Sequence, residues 1–231
     1  MNNKRYMIGC GWFHSSKTPE AERKKQAKRW IENIRRFASP KPECICVVGQ
    51  GGCRFPESGV ESVTVSGDLG NHNDLIKGIK NNEFNGWSGA VLALAMLAYN
   101  NESDLIFQEQ DCLAFGNYVD EMYRQIGSRG MIFGRRHRGA PNQACSQSLF
   151  LIRHFYLRTF VTKYFGSHPQ TSNAHTGEPK FEWLRRTDND MVGRFQFGYD
   201  RERPFNIKDR VFYVQQTSEE DLRVLKESGL I

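Results

Sequence analysis

Apolar positions along this chain fall into runs of two kinds, short continuous ones and longer ones at helical spacing, and their order predicts an α/β protein. Residues 5–10 read as a first strand. Thr18-Pro19-Glu20 then opens a helix, with Thr18 as N-cap and Pro19 at the first helical position. Ala27, Trp30, Ile31, Ile34 and Phe37 form its apolar face, and Ser39-Pro40-Lys41-Pro42 ends it. Residues 44–48 are a continuous apolar strand closed by Gly49-Gln50-Gly51-Gly52, and residues 60–65 a less regular one. A short helix over 73–80 and a long apolar helix over 86–101, with Val91, Leu94, Ala95 and Ala98 on one face, lead into the strand Leu105-Ile106-Phe107. A helix over 117–126 follows, then strands at 131–133 and 148–152, a polar loop over 167–176 and a helix over 178–185. The last helix covers 218–227, capped by Ser218 with Asp221 three residues on. Strands alternating with helices predict a mostly parallel central sheet flanked by helices, with ligands at the carboxyl ends of the strands. No internal repeat breaks the 231-residue chain, which has the length of a single domain.

The chemistry concentrates where the apolar run 105–107 meets Gln108-Glu109-Gln110-Asp111. If the strand continues, residues two apart share a face, and Glu109 and Asp111 present their oxygens side by side. Two hard oxygen ligands at a strand end suit Mg²⁺ or Mn²⁺, particularly when a diphosphate completes the shell.

Charge sharpens this picture. The chain carries a formal net charge of +6, unevenly spread. Residues 122–177 contain no acidic residue, yet include Arg124, Arg129, Arg135, Arg136, Arg138, Arg153, Arg158 and Lys163. A second basic segment, residues 17–41, reads as a solvated helix face. Such asymmetry points to a polyanionic partner, either nucleotide phosphates or a nucleic acid. The longest apolar run, residues 90–99, is too short for a membrane span, and the N-terminus lacks the apolar core of a signal peptide, so a cytoplasmic location is expected. Six cysteines here predict reduced thiols, because Cys44, Cys46 and Cys53 have neither zinc-site spacing nor a fourth ligand nearby.

The order strand, helix, two strands, long helix, then a strand ending in an acidic-x-acidic triplet resembles the nucleotide-diphospho-sugar transferases of the GT-A fold. Their Asp-x-Asp hallmark is replaced here by Glu109-Gln110-Asp111. The resemblance implies a single GT-A-like (Rossmann-like) domain over residues 1–231, with a nucleotide-sugar-binding half (1–116) and an acceptor-side half (117–231). It extends to residues 148–153, which look like the family's acceptor-side strand, and to residues 194–204 and 213–220, which resemble small viral and bacterial members. It implies a hexosyl- or pentosyltransferase taking a nucleoside-diphosphate sugar, UDP by default, with Mn²⁺ or Mg²⁺. Asp111 would bind the metal that bridges the phosphates, and Glu109 would reach the metal through water or touch the donor ribose. Gly9, Cys10, Gly11 and Asp68 would line the nucleoside, and Arg135, Arg136 or Arg138 would neutralise the diphosphate. For an inverting enzyme the acceptor base would be Glu182 or Glu178, with Asp190 and Asp188 next in order; His168 or His175 would be a third metal ligand. The acceptor is expected to be a glycan or, given the acid-free stretch, a nucleic acid.

Two other readings compete. The same carboxylates would serve a nuclease or nucleotidyltransferase, for which Asp68, Asp188 and Asp190 are the further acidic ligands available. Alternatively the chain is a non-catalytic nucleic-acid-binding module, with Trp12, Phe13, Tyr156 and Tyr164 stacking bases.

Overall fold

The first apolar run becomes a strand buried almost throughout. In the computed structural model, which describes residues 4–13, 18–50, 53–65, 86–134, 146–166, 177–199 and 201–231, β1 spans Tyr6–Trp12. In chain order follow α1 (Glu20–Phe37), β2 (Cys44–Gln50), β3 (Glu61–Val65), α2 (Gly86–Asn100), β4 (Asp104–Gln108), β5 (Cys112–Phe115), α3 (Tyr118–Ile126), β6 (Met131–Gly134), β7 (Ser146–Ile152), α4 (His154–Gly166), α5 (Gly177–Thr187), β8 (Val192–Arg194), β9 (Phe212–Gln215) and α6 (Glu219–Glu227). Seven strands form the main sheet in the order β3-β2-β1-β4-β7-β6-β8. Among them β7 runs against the other six, through antiparallel pairing with β4 and β6. β5 and β9 pair antiparallel in a separate ribbon.

β1 shows how the two-residue period builds two cores. Tyr6, Ile8, Cys10 and Trp12 face α1 and pack on Ala27, Trp30, Ile31 and Ile34. Met7 faces the other way, into the layer formed with Ala90, Val91, Leu94 and Ala98 of α2. Burying side chains the size of Ile31 or Ile34 contributes about 1.5–3 kcal/mol each, so this packing, more than helix propensity, fixes α1 on the sheet. Gly9 permits the close approach of α2, since a Cβ there would lie 2.4 Å from Leu94 Cδ2.

Several sequence expectations change. Thr18 is not the cap of α1: Pro19 holds that position, its carbonyl accepts the Glu22 and Arg23 amides, and no side-chain cap forms. The capping box of Ser218 and Asp221 forms as expected. The segment after β7 is helical over His154–Gly166, and the short strands β5, β8 and β9 also escape the sequence patterns, being too brief for a period to show. The expected helix at 73–80 lies outside the described residues. Trp12, Tyr156 and Tyr164 are at most 3% exposed, which removes them as base-stacking platforms. Cys10, Cys44, Cys46, Cys53 and Cys112 are reduced thiols. Among the described residues no helix is long and apolar enough to cross a membrane.

Candidate active site

The acidic triplet follows the end of β4, beside the last residues of β1. Gly9 pairs with Phe107, one residue before the end of β4, so residues 109–111 emerge at the carboxyl ends of the parallel strands. They do not continue the strand, contrary to the sequence expectation. β4 stops at Gln108, and the Cys112 amide donates to the Glu109 carbonyl at 2.9 Å, closing a tight turn into β5. The two carboxylates are brought together by that turn and by Gln215, the last residue of β9. Gln215 Nε2 donates to Asp111 Oδ1 at 3.2 Å and also to Glu109 Oε2. Both carboxylates therefore aim at one point.

The turn is held from every side. Gln110 exchanges two hydrogen bonds with the backbone of Phe13, both 3.0 Å, tying it to the end of β1. The Glu109 amide donates to Ser148 of β7, and the Gln216 amide donates to the Asp111 carbonyl. Beneath it, Trp30 Nε1 donates to the Gln108 carbonyl at 3.1 Å. The buried Gln108 side chain donates to Asn33 and to the Cys112 carbonyl and accepts from Tyr118. These hydrogen bonds hold the buried network in place, because displacement would leave more of its groups unpaired; Asn33 Nδ2 alone in it has no partner among the described residues.

Arginines border the pair. Arg201 Nε reaches Gln215 Oε1 at 3.4 Å, and Arg203 joins the Gln215 carbonyl to Asp221 of α6. Gln215 lies in the resembling stretch 213–220 but received no role from sequence: a glutamine ending a short apolar strand has no periodicity of its own, and its partner carboxylates are more than a hundred residues away.

The remaining expected residues scatter. Of the nucleoside-lining candidates, Gly9 is buried mid-strand under Leu94, and Cys10 points into the α1 core, leaving Gly11 nearest the rim. Burial pushes the Cys10 thiol well up, and Cys46, Glu109 and Asp111 add to this, so it stays neutral. Asp68, Arg135, Arg136, Arg138, His168 and His175 lie outside the described residues.

The candidate bases are not near the turn. Asp190 precedes Val192, which is in register with Met131, Ile152 and hence Leu105 at the start of β4, so it belongs to the opposite end of the sheet. Asp188 there accepts from Tyr156 and Lys163. Glu182 is paired with Arg185, Arg186 and Arg194. Arg194 is level with Phe107 but three strands away, about 14 Å at ordinary strand spacing. Burial alone would raise the Glu182 carboxyl, but Arg185 and Arg194 outweigh it and hold it below the usual range. Helix α5 runs away from the site end, so its first turn, with Glu178, is its closest part; the Glu178 side chain lies outside the described residues.

The acid-free stretch is less exposed as charge than its composition implies. Arg124 pairs with Glu121, Arg153 with Asp104, and Lys163 with Asp188. For these three the acids come from outside the stretch.

By sequence, no family model and no curated protein matches the chain. Its architecture is similar to that of a Desulfovibrio desulfuricans structure described as a nucleotide-diphospho-sugar transferase (TM-score 0.50, 8% identity, 84% of this chain and 80% of that one). It is similar as well to the bifunctional glycosyltransferase WbbM (TM-score 0.51, 8% identity, 94% of this chain), of which it spans 46%. A Bacillus anthracis structure described as a glucose-1-phosphate thymidylyltransferase, in complex with sucrose, matches along nearly its whole length (TM-score 0.50, 9% identity, 99% of this chain and 96% of that one). The chain thus has the GT-A type of fold, a mixed α/β sheet shared by enzymes of nucleotide-sugar chemistry.

Proposed function

We propose that this protein is a glycosyltransferase moving a sugar from a nucleoside-diphosphate sugar, UDP by default, to an acceptor hydroxyl. The observation that carries the reading is the convergence of Glu109 and Asp111 on one point, occupied by the Gln215 amide, at the carboxyl end of the parallel strands. A point approached by two carboxylates, once the Gln215 amide moves aside, offers oxygen donors suited to Mn²⁺ or Mg²⁺. Bound there, the ion would supply charge to offset that of the diphosphate leaving group. Asp111 would hold it directly and Glu109 through water or by way of the donor ribose, Arg201 with Arg135 and Arg136 would neutralise the phosphates, and Gly11 would border the nucleoside. Asp68 remains the candidate contact to base or ribose. Glu178 is the acceptor base we favour over Glu182 and Asp190, because it alone of the three heads a helix at the site end.

The acceptor we favour is a neutral glycan hydroxyl in place of a nucleic acid, since Arg124, Arg153 and Lys163 already have acidic partners. A second reading, nucleotidyl transfer to a sugar phosphate, is supported by the likeness to the thymidylyltransferase fold. Product analysis separates the two. Sugar nucleotide with Mn²⁺ and acceptor should release nucleoside diphosphate; release of pyrophosphate from nucleoside triphosphate and sugar phosphate would replace the first reading with the second. Neither product, with no Mn²⁺-dependent UDP binding, would remove both.

A further inference from the structure

Beside the carboxylate turn, on its α1 side, lies a cavity of about 190 Å³. Glu22, Gln26 and Arg29 enter it from one face of α1, at spacings of four and three residues. Asp111, Gln216 and Thr217 form the opposite wall. We propose that this cavity is a subsite for one uncharged sugar ring, a proposal that rests on the sugar-transfer reading and specifies where the sugar goes.

The lining has unspent hydrogen-bonding capacity. Among the described residues Arg29 makes no hydrogen bond or ion pair, and neither the Gln216 side chain nor the Thr217 hydroxyl has a partner. Gln26 commits its Nε2 to the Gln110 carbonyl at 3.4 Å, which leaves its Oε1 to accept. Gln216 has a φ of 52°, a left-handed conformation that costs a non-glycine residue energy, and the hydrogen bond its backbone N–H donates to the Asp111 carbonyl holds it there at the cavity rim.

Charge and shape select the ligand class. Two carboxylates, Glu22 and Asp111, face one guanidinium, so a phosphate or other anion would be repelled on balance. A nucleobase would want an aromatic platform, and among the described residues of the wall the only large apolar side chain is Leu113. The volume falls below the about 300–1,000 Å³ of pockets that hold larger ligands, but suits a single ring. A sugar hydroxyl both donates and accepts. It is matched by a wall that mixes a pure donor (Arg29), pure acceptors (the carboxylates) and groups that do both (Gln216, Thr217). The Leu113 side chain offers contact to the ring's C–H face.

The ring could belong to the donor or to the acceptor, and calorimetric titration distinguishes them. The probes are UDP, UDP-glucose and UDP-galactose with Mn²⁺, and the methyl pyranosides of glucose, galactose, mannose and N-acetylglucosamine without it. If the donor's sugar occupies the cavity, a UDP-sugar binds at least fivefold tighter than UDP, and Arg29→Ala and Gln216→Ala each erase that difference while UDP affinity stays the same. If the acceptor's sugar occupies it, a methyl glycoside binds without metal and the same two variants weaken it at least fivefold. Both variants alter exposed or half-exposed side chains, and an unchanged melting temperature verifies that they fold. Wild-type protein that gains nothing from a sugar in either arm, or sugar affinities that ignore both substitutions, overturns the proposal. Mn²⁺-dependent UDP binding in that case leaves the transferase reading standing, whereas its absence removes that reading as well.

Discussion

The side-chain amide of Gln215 stands 3.2 Å from Asp111 Oδ1 while donating to Glu109 with the same nitrogen. A neutral N–H₂ group, positive at its hydrogens, holds apart two carboxylates that would otherwise repel each other. Gln215→Leu removes that shared donor. The metal-free protein should lose about 1–3 kcal/mol of stability, and the thermal gain on adding Mn²⁺ should exceed that of wild type, because the ion no longer displaces an amide. A smaller gain than in wild type would mean that Gln215 contributes its oxygen to the ion instead.

Asp111→Asn changes one metal-facing charge and almost no volume, and it leaves the Asp111 carbonyl free to accept from Gln216. Transfer should fall by about 10²-fold or more with the fold intact. Mn²⁺-enhanced UDP binding should be lost with it. Glu109→Gln should be milder, in keeping with an indirect contact. Side-by-side initial rates and UDP titrations decide this, and a heavier loss at Glu109 would exchange the two roles.

Gly9→Ala tests whether the glycine serves the ligand or the core. Its new Cβ would meet Leu94 Cδ2 at 2.4 Å and the Cys46 carbonyl at 3.0 Å, in a layer where Leu94 is fully buried. Overpacking of this kind costs about 1–3 kcal/mol, visible in chemical denaturation, with UDP affinity unaltered. A stable variant with weakened UDP binding would return Gly9 to the nucleoside.

Much of the fold was legible because long elements carry their own period. The apolar face Trp30, Ile31 and Ile34 and the box of Ser218 with Asp221 are local signals, and both reappear in three dimensions. The acidic pair was also legible as a pair, since only the residue types and the preceding apolar run were needed. Its geometry was not. A strand and a tight turn both put residues 109 and 111 near each other, and the choice is made by the Cys112 to Glu109 bond and by Gln215 on a strand far away in sequence. Charge in residues 122–177 was only partly legible for the same reason: the partners of Arg153 and Lys163 are Asp104 and Asp188, outside the stretch whose composition was read. Arg29 carried the opposite ambiguity. On a basic helix it looked like solvated surface, and only packing of α1 beside the turn turns it toward a cavity.

Glu182 offers a pH test of its role. Its carboxylate accepts from Arg185 at 2.7 Å and from Arg194, and these guanidiniums hold its folded value below the ordinary 4.5. A carboxyl depressed in this way binds fewer protons folded than unfolded near that value. Its stabilising contribution is therefore complete above about pH 4.5 and declines as the pH falls through the folded value. Glu182→Gln leaves Arg185 and Arg194 without an anionic partner between α5 and β8, and should cost about 2 kcal/mol at pH 7. Denaturation of both proteins between pH 7 and pH 3 should show a constant gap down to about pH 4.5 that narrows below it. Transfer rate and UDP affinity of the folded variant should match wild type at pH 7. If instead the variant is as stable as wild type and transfers slowly while binding UDP normally, Glu182 is the acceptor base after all, and α5 must bring it to the turn during the reaction.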